Sequence, residues 1–214
     1  MHQGLIATLV LTTASVAVGQ ETDRTVGSSA RGYDSSSSNA QQTVDAVAAP
    51  DERFNADSWT FQTYGSVTFG DDAGELYLAH AGVGYHVWDD ISVNLELVAG
   101  GFDTDDERGR SGDDGAAVGL DLLMRWHFFK NPRWSAYVEG GAGFIQTSSS
   151  FPSDGTHFNF TPQVGVGMLY ALKQDIHLMG GLRWHHVSNA HLQGGDNNPG
   201  YDSAVVYAGL LFSF

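Results

Sequence analysis

Between Trp59 and Phe214 apolar residues recur at every second position, and the opposite face is unusual for a protein in water. "ISVNLELVAG" sets Ile91, Val93, Leu95 and Leu97 on one side and Ser92, Asn94 and Glu96 on the other. "AAVGLDLLMRWHFF" sets Val118, Leu120, Leu122, Met124, Trp126 and Phe128 against Gly119, Asp121, Leu123, Arg125 and His127. "WSAYVEGGAGF" sets Trp134, Ala136, Val138, Ala142 and Phe144 against Tyr137, Glu139 and glycines. Period two is the signature of a strand with two different surroundings. A soluble sandwich or lipocalin-like barrel would turn the apolar face inward and show charge outside. Here the second face is rich in Gly, Ser, Asn and Thr, a poorly charged exterior. Turned inside out, the pattern is coherent: the apolar face meets lipid, and Glu96, Asp121, Arg125, Glu139 and Arg183 pair in a narrow polar lumen.

Read this way, residues 59–214 divide into eight segments, those near 59–69 and 75–88 alternating less cleanly than the rest. The connections at 89–90, 130–133 and 173–175 are short; those at 103–115, 148–157 and 189–200 are longer, and only the one near 70–74 breaks the rule. Short turns at one end and long loops at the other are the arrangement of outer-membrane barrels. The fold expected is therefore all-β, an eight-stranded antiparallel transmembrane β-barrel of the outer membrane, with both termini on the periplasmic side. No stretch approaches the roughly 18–20 apolar residues of a spanning helix. The abundance of glycine (27 residues) against few prolines (5) suits curved sheet.

The remaining chain divides in two. "MHQGLIATLVLTTASVAVGQ" has an apolar run from about Leu5 to Val18 followed by small residues, so residues 1–19 are expected to be a secretory signal peptide, although Lys and Arg are missing from its start. Residues 20–57 are polar and Ser-rich with few aromatics, and are expected to be a disordered segment. The barrel is expected over 58–214. The closing "YAGLLFSF", ending on Phe214, resembles the C-terminal signal read by the barrel-assembly machinery. With 25 acidic and 10 basic residues the chain is unsuited to nucleic acid, whose phosphates need Lys and Arg. There is no cysteine for disulfides or thiol chemistry.

The stretch "HHVSNAHLQGGDNNPGYD", residues 185–202, breaks the apolar pattern. In the seventh segment Leu178, Leu182 and Trp184 face lipid; continuing in steps of two reaches His186 and Ser188. In the eighth, Phe212, Leu210, Ala208 and Val206 lead back through Ala204 to Asp202. Three polar groups thus share the outward face near the outer rim of adjacent antiparallel strands. Residues i and i+2 lie about 6–7 Å apart on one face. An imidazole beside a hydroxyl, with a carboxylate across the strand, supplies the base, nucleophile and orienter of a Ser-His-acid triad. The bland alternative is that rim positions are wet and tolerate polar side chains, with charge penalties of only about 0–1 kcal/mol near the interface.

"HVSNA", then "NNPG" and an acidic residue before a final aromatic strand, resembles the lipid A 3-O-deacylase (PagL) family. The motif covers residues 186–202, and the family's eight-stranded barrel corresponds to all of 59–214. The resemblance implies an outer-membrane esterase acting on lipid A or lipopolysaccharide, with Ser188 as nucleophile, His186 as general base and Asp202 in the orienting position, where relatives carry Glu. It also implies Asn189 as an oxyanion-hole donor, assisted by a loop backbone N–H. His191 stands where relatives have a small residue, and Gly194, Gly195 and Asp196 lengthen the loop. Neither cofactor nor metal is expected: His185 faces away from His186, and the acidic loop 103–115 matches no regular Ca²⁺ site. Lipid A phosphates would find few cations at the outer rim, Arg108 and Arg110 being the obvious ones. Two other classes fit the fold: a non-enzymatic structural or adhesive barrel, and an outer-membrane phospholipase.

Overall fold

In the computed structural model, residues 54–70, 74–104, 114–153, 155–192 and 198–214 are described. The expected signal peptide, most of the Ser-rich segment, the middle of the acidic loop with Arg108 and Arg110, and the inserted residues 194–196 lie outside them.

The described chain is sheet throughout: β1 (Trp59–Gly70), β2 (Glu75–Trp88), β3 (Ile91–Asp103), β4 (Gly115–Lys130), β5 (Trp134–Phe151), β6 (Thr156–Phe160), β7 (Gln163–Ala171), β8 (Ile176–Val187) and β9 (Tyr201–Ser213). Each segment pairs antiparallel with its neighbour, and β9 closes on β1, with Phe61 opposite Phe212 and Gly70 opposite Ser203. The two short segments β6 and β7 are one strand broken at Thr161–Pro162, and both pair with β5. Proline has no N–H to give a ladder, so a break there is the expected response. The result is a closed eight-stranded barrel.

Alternation is realised along most of the barrel wall. In β3 the lumen side, Ser92, Asn94 and Glu96, is fully buried, while Leu95 and Leu97 are exposed on the outside. Even β1 and β2, whose sequences alternate weakly, bury alternate residues over most of their length. Their weak signal arises because β1 places Thr63 and Gly65 on the outer face and apolar Tyr64 inside.

The lumen is filled in layers. Toward the long loops an apolar plug forms from Leu76, Phe102, Ile145, Phe151, Val187 and Tyr201. The middle layer centres on Glu139. Its Oε2 accepts from Arg125 Nε (3.0 Å) and Nη2 (2.8 Å), and its Oε1 accepts from Arg183 Nε (2.7 Å) and the Tyr207 hydroxyl (2.6 Å). Arg125 also donates to Gln62 (2.9 Å), and Arg183 to Tyr64 (2.9 Å) and Gln163 (3.1 Å). A buried ion cluster is tolerable only when its lone pairs and protons are met in this way. Of the five charged groups expected to pair in the lumen, Arg125, Arg183 and Glu139 do so directly. Glu96 accepts from Gln62 (2.5 Å) and Tyr64, with Arg183 at 3.9 Å; Asp121 accepts from Thr161 (3.0 Å).

Two tyrosines fit because glycines stand opposite. A Cβ at Gly167 would lie 2.3 Å from the Tyr137 ring, and one at Gly181 would lie 2.4 Å from the Tyr207 hydroxyl. At the other end of the lumen, Phe54 is buried and stacks on His127 with ring centroids 4.1 Å apart. The Asp57 N–H donates to the His86 carbonyl, and Asp90 N–H to the Phe54 carbonyl. Residues 54–57, inside the stretch expected to be disordered, are thus ordered against the barrel. A single aromatic amid polar residues gives no periodicity to read, yet one ring is enough to fill this mouth.

Candidate active site on the outer rim

β8 ends at Val187 and β9 begins at Tyr201, so the 188–200 connection starts and finishes beside the triad candidates. His186 and Asp202 are direct register partners across β8 and β9. Their side chains meet: His186 Nδ1 and Asp202 Oδ1 are 3.0 Å apart. An ionised carboxylate can only accept, so Nδ1 carries the proton and the lone pair sits on Nε2. The imidazole lies against the Trp184 ring, centroids 5.8 Å apart and planes nearly parallel. The pair is not buried: the His186 side chain is 29% exposed and that of Asp202 57%. Both face outward on the lipid side, as parity requires.

Ser188 follows on the same face. Its backbone is fixed by a two-bond bridge to Phe160: Ser188 N–H donates to the Phe160 carbonyl (3.1 Å) and Phe160 N–H to the Ser188 carbonyl (2.7 Å). His186 N–H donates to the Pro162 carbonyl (3.0 Å). The broken strand β6–β7 therefore clamps the backbone on both sides of Val187. The serine hydroxyl makes no hydrogen bond to His186 among the described residues. The structure brings imidazole and carboxylate into contact and leaves the hydroxyl one strand step away on their face. Nucleophile–base contacts are commonly looser before substrate arrives.

Beyond Ser188 the chain turns at once. Leu192 N–H donates to the Asn189 carbonyl (3.0 Å), and the two residues between, Ala190 (φ 50°) and His191 (φ 64°), are both left-handed. Neither is glycine, and such strain persists only where surroundings enforce it. Asn189 supplies part of the enforcement. Its N–H donates to Asn198 Oδ1 (2.8 Å), and its own Oδ1 accepts the His191 N–H (2.8 Å). Asn189 is almost fully buried. Its amide is oriented by that contact, with Oδ1 toward His191. Gly200 (φ +71°) turns the chain back, and a Cβ there would touch His186 Cε1 at 3.5 Å. His185 is buried on the lumen side, opposite His186.

A family model described as Lipid A 3-O-deacylase (PagL) matches residues 39–210. This chain belongs to that family. Among solved structures, the outer-membrane enzyme PagL aligns with a TM-score of 0.52 at 17% identity, covering 69% of this chain and 97% of PagL. OprG of Pseudomonas aeruginosa aligns with a TM-score of 0.54 at 13% identity, covering 75% of this chain and 97% of OprG. Neisserial surface protein A gives 0.53 at 13% identity, covering 73% and 96%. Comparison with curated proteins returned no match. These structural likenesses fix the fold, an outer-membrane β-barrel, and the family match makes this PagL-family chain a member of a lipid A deacylase family.

The site lies in a membrane that the barrel crosses, with its lipid face defined by residues such as Leu182, Trp184 and Val206. The His191 N–H is occupied by Asn189 Oδ1, so it serves to hold the turn and the Asn189 amide. The sequence offered no signal for the clamp by Phe160 and Pro162, which depends on which strand lies beside β8.

Proposed function

We propose that this protein hydrolyses an ester-linked acyl chain of lipid A at the lipid-facing outer rim, by Ser-His-acid catalysis. The observation that carries the proposal is the contact of His186 Nδ1 with Asp202 Oδ1 at 3.0 Å on the outward face, with Ser188 next along that face. Asp202 holds the ring in the tautomer whose Nε2 accepts a proton. Ser188 Oγ attacks the ester carbonyl as its proton passes to Nε2. The new C–O bond converts the carbonyl to an oxyanion, met by the Asn189 amide. Such a donor typically lowers the barrier by about 2.7–4 kcal/mol. Collapse breaks the bond to the sugar oxygen, which takes the proton from His186. Water then attacks the acyl-serine, losing its proton to His186; collapse breaks the bond to Ser188 Oγ, which takes that proton back, and the fatty acid leaves.

Placement on the lipid face suits this chemistry. The scissile ester sits where acyl chains join the sugar, at the depth where β8 passes from Leu182 and Trp184 to His186. The substrate is reached by diffusion in the plane of the membrane, without extraction. The C-terminal strand ends with Phe214 paired to Trp59 in both directions (3.2 and 3.0 Å), and we propose it as the element the barrel-assembly machinery reads before closure.

Acid-quenching the purified barrel with lipid A and mapping adducts by mass spectrometry tests the assignment. An acyl group on the peptide containing Ser188, lost in His186→Ala, is the expected result. Turnover by a barrel whose Ser188 is never acylated would refute the nucleophile.

A further inference from the structure

The lumen holds a second cluster of chemically capable side chains, remote in role from the rim and unused by the mechanism above. His80 of β2, Glu96 of β3 and Asp121 of β4 bring one ligand atom each to within 4.8 Å of the others, and all three are buried. Beside them is a small cavity of about 20 Å³, lined by His80, Asp121, Thr161, Gln163, Arg183 and His185 among others. That is room for a single water molecule or ion.

Each of the three side chains is held from behind. His80 Nε2 lies 2.9 Å from the Ser66 hydroxyl, and its ring stacks on Tyr64 at 4.2 Å. With Nε2 as the donor to Ser66, Nδ1 keeps its lone pair and lies 3.7 Å from Glu96 Oε2, beyond hydrogen-bond reach. Glu96 is fixed by Gln62 and Tyr64, and Asp121 by Thr161. Outer contacts of this kind orient metal ligands and set the histidine tautomer. A second buried imidazole on the same cavity, His185, also leaves Nδ1 without a partner.

Charge points the same way. Three buried carboxylates, Glu96, Asp121 and Glu139, face two buried guanidinium groups, Arg125 and Arg183, and the His80 imidazole, 3.7 Å from Glu96. Glu139 takes the close contacts of both arginines, and Arg183 comes no nearer to Glu96 than 3.9 Å. An ionised carboxylate in a closed, water-poor space is costly without a matching cation.

We propose that His80, Glu96 and Asp121 bind a divalent transition ion of the Zn²⁺ type in the lumen, with cavity water as its remaining ligand. One imidazole and two carboxylates suit such an ion, whose bonds of about 2.0–2.2 Å need the three atoms to draw together by small side-chain rotations. The ion ties β2, β3 and β4 together inside the barrel. With the apolar plug between it and the long loops, it is captured as the barrel closes and exchanges slowly afterwards. This inference does not depend on the rim chemistry.

The test is elemental analysis of the untagged barrel, both extracted from outer membranes and refolded into detergent with ZnCl₂, then washed with chelator. About one ion per folded chain is expected for wild type and for Ser188→Ala, and less than about one-tenth as much for His80→Gln and Asp121→Asn. Heat-modifiable mobility identifies the folded fraction of each variant. Refolded wild type holding less than a tenth of an equivalent overturns the proposal. Equal metal in wild type and both variants also overturns it, by placing the ion elsewhere.

Discussion

Replacing Asp202 by Asn isolates the orienting role because the substitution keeps size and shape and removes one charge. In the wild type, the carboxylate oxygen lies 3.0 Å from His186 Nδ1, so the charge centres of imidazolium and carboxylate are about 4 Å apart once protonated. At that separation the attraction amounts to about 1 kcal/mol in bulk water and about 4 kcal/mol at the effective dielectric of a protein surface. Asp202 is 57% exposed at the rim, so solvent screening discounts the upper value and about 2–3 kcal/mol is the expected share. The amide can also turn its NH₂ toward Nδ1, which moves the ring proton to Nε2 and blocks the base. Together these predict a fall in kcat of about 30- to 1,000-fold, less than the roughly 10⁴-fold seen where a triad carboxylate is buried. Release of fatty acid from lipid A in mixed micelles gives kcat directly, and heat-modifiable mobility confirms folding. Asp202→Glu restores a carboxylate on the same face and should stay within about tenfold of wild type. An Asn variant as active as wild type would refute the orienting role.

Four further outcomes follow from the geometry. Ser188→Ala or His186→Ala should lower hydrolysis by about 10⁴–10⁶-fold with unfolding in urea unchanged; residual turnover within tenfold of wild type would remove either residue from its role. Glu139→Gln strands Arg125 and Arg183 in the lumen and should cost about 3–5 kcal/mol of folding stability, read from urea titration of the barrel in vesicles. Gly181→Ala drives a Cβ into the Tyr207 hydroxyl and the Val166 carbonyl, so a loss of about 1–3 kcal/mol is expected in the same titration. Phe54→Ala empties the stacked position over His127 and should cost about 3 kcal/mol, with faster proton exchange at the Asp90 N–H.

The barrel was readable because every strand has only two surroundings, and a period of two reports them. The same parity put His186, Ser188 and Asp202 on one face, and the β8–β9 register then set His186 opposite Asp202. Parity says which face a residue takes but not which residue on the next strand it meets. The lumen therefore resolved only in part: Glu139 gathers both arginines, whereas Asp121, expected among the paired charges, hydrogen-bonds to Thr161. His80, Glu96 and Asp121 come from three strands and form a cluster only through register, so no local motif announces them. The break at Thr161–Pro162 hid for the opposite reason. The apolar rhythm of Phe158, Phe160, Val164 and Val166 runs through the proline as if the strand were continuous, which in the barrel wall it nearly is.

Mass spectrometry of lipid A from cells carrying the wild-type protein, the Ser188→Ala variant or neither bears most directly on the rim site. The account predicts lipid A short of one ester-linked acyl chain with wild type alone, and intact lipid A in the other two, with both barrels folded in the membrane. Identical lipid A from wild-type and barrel-free cells, obtained with the purified enzyme also inert, would contradict it; so would the same deacylation by Ser188→Ala.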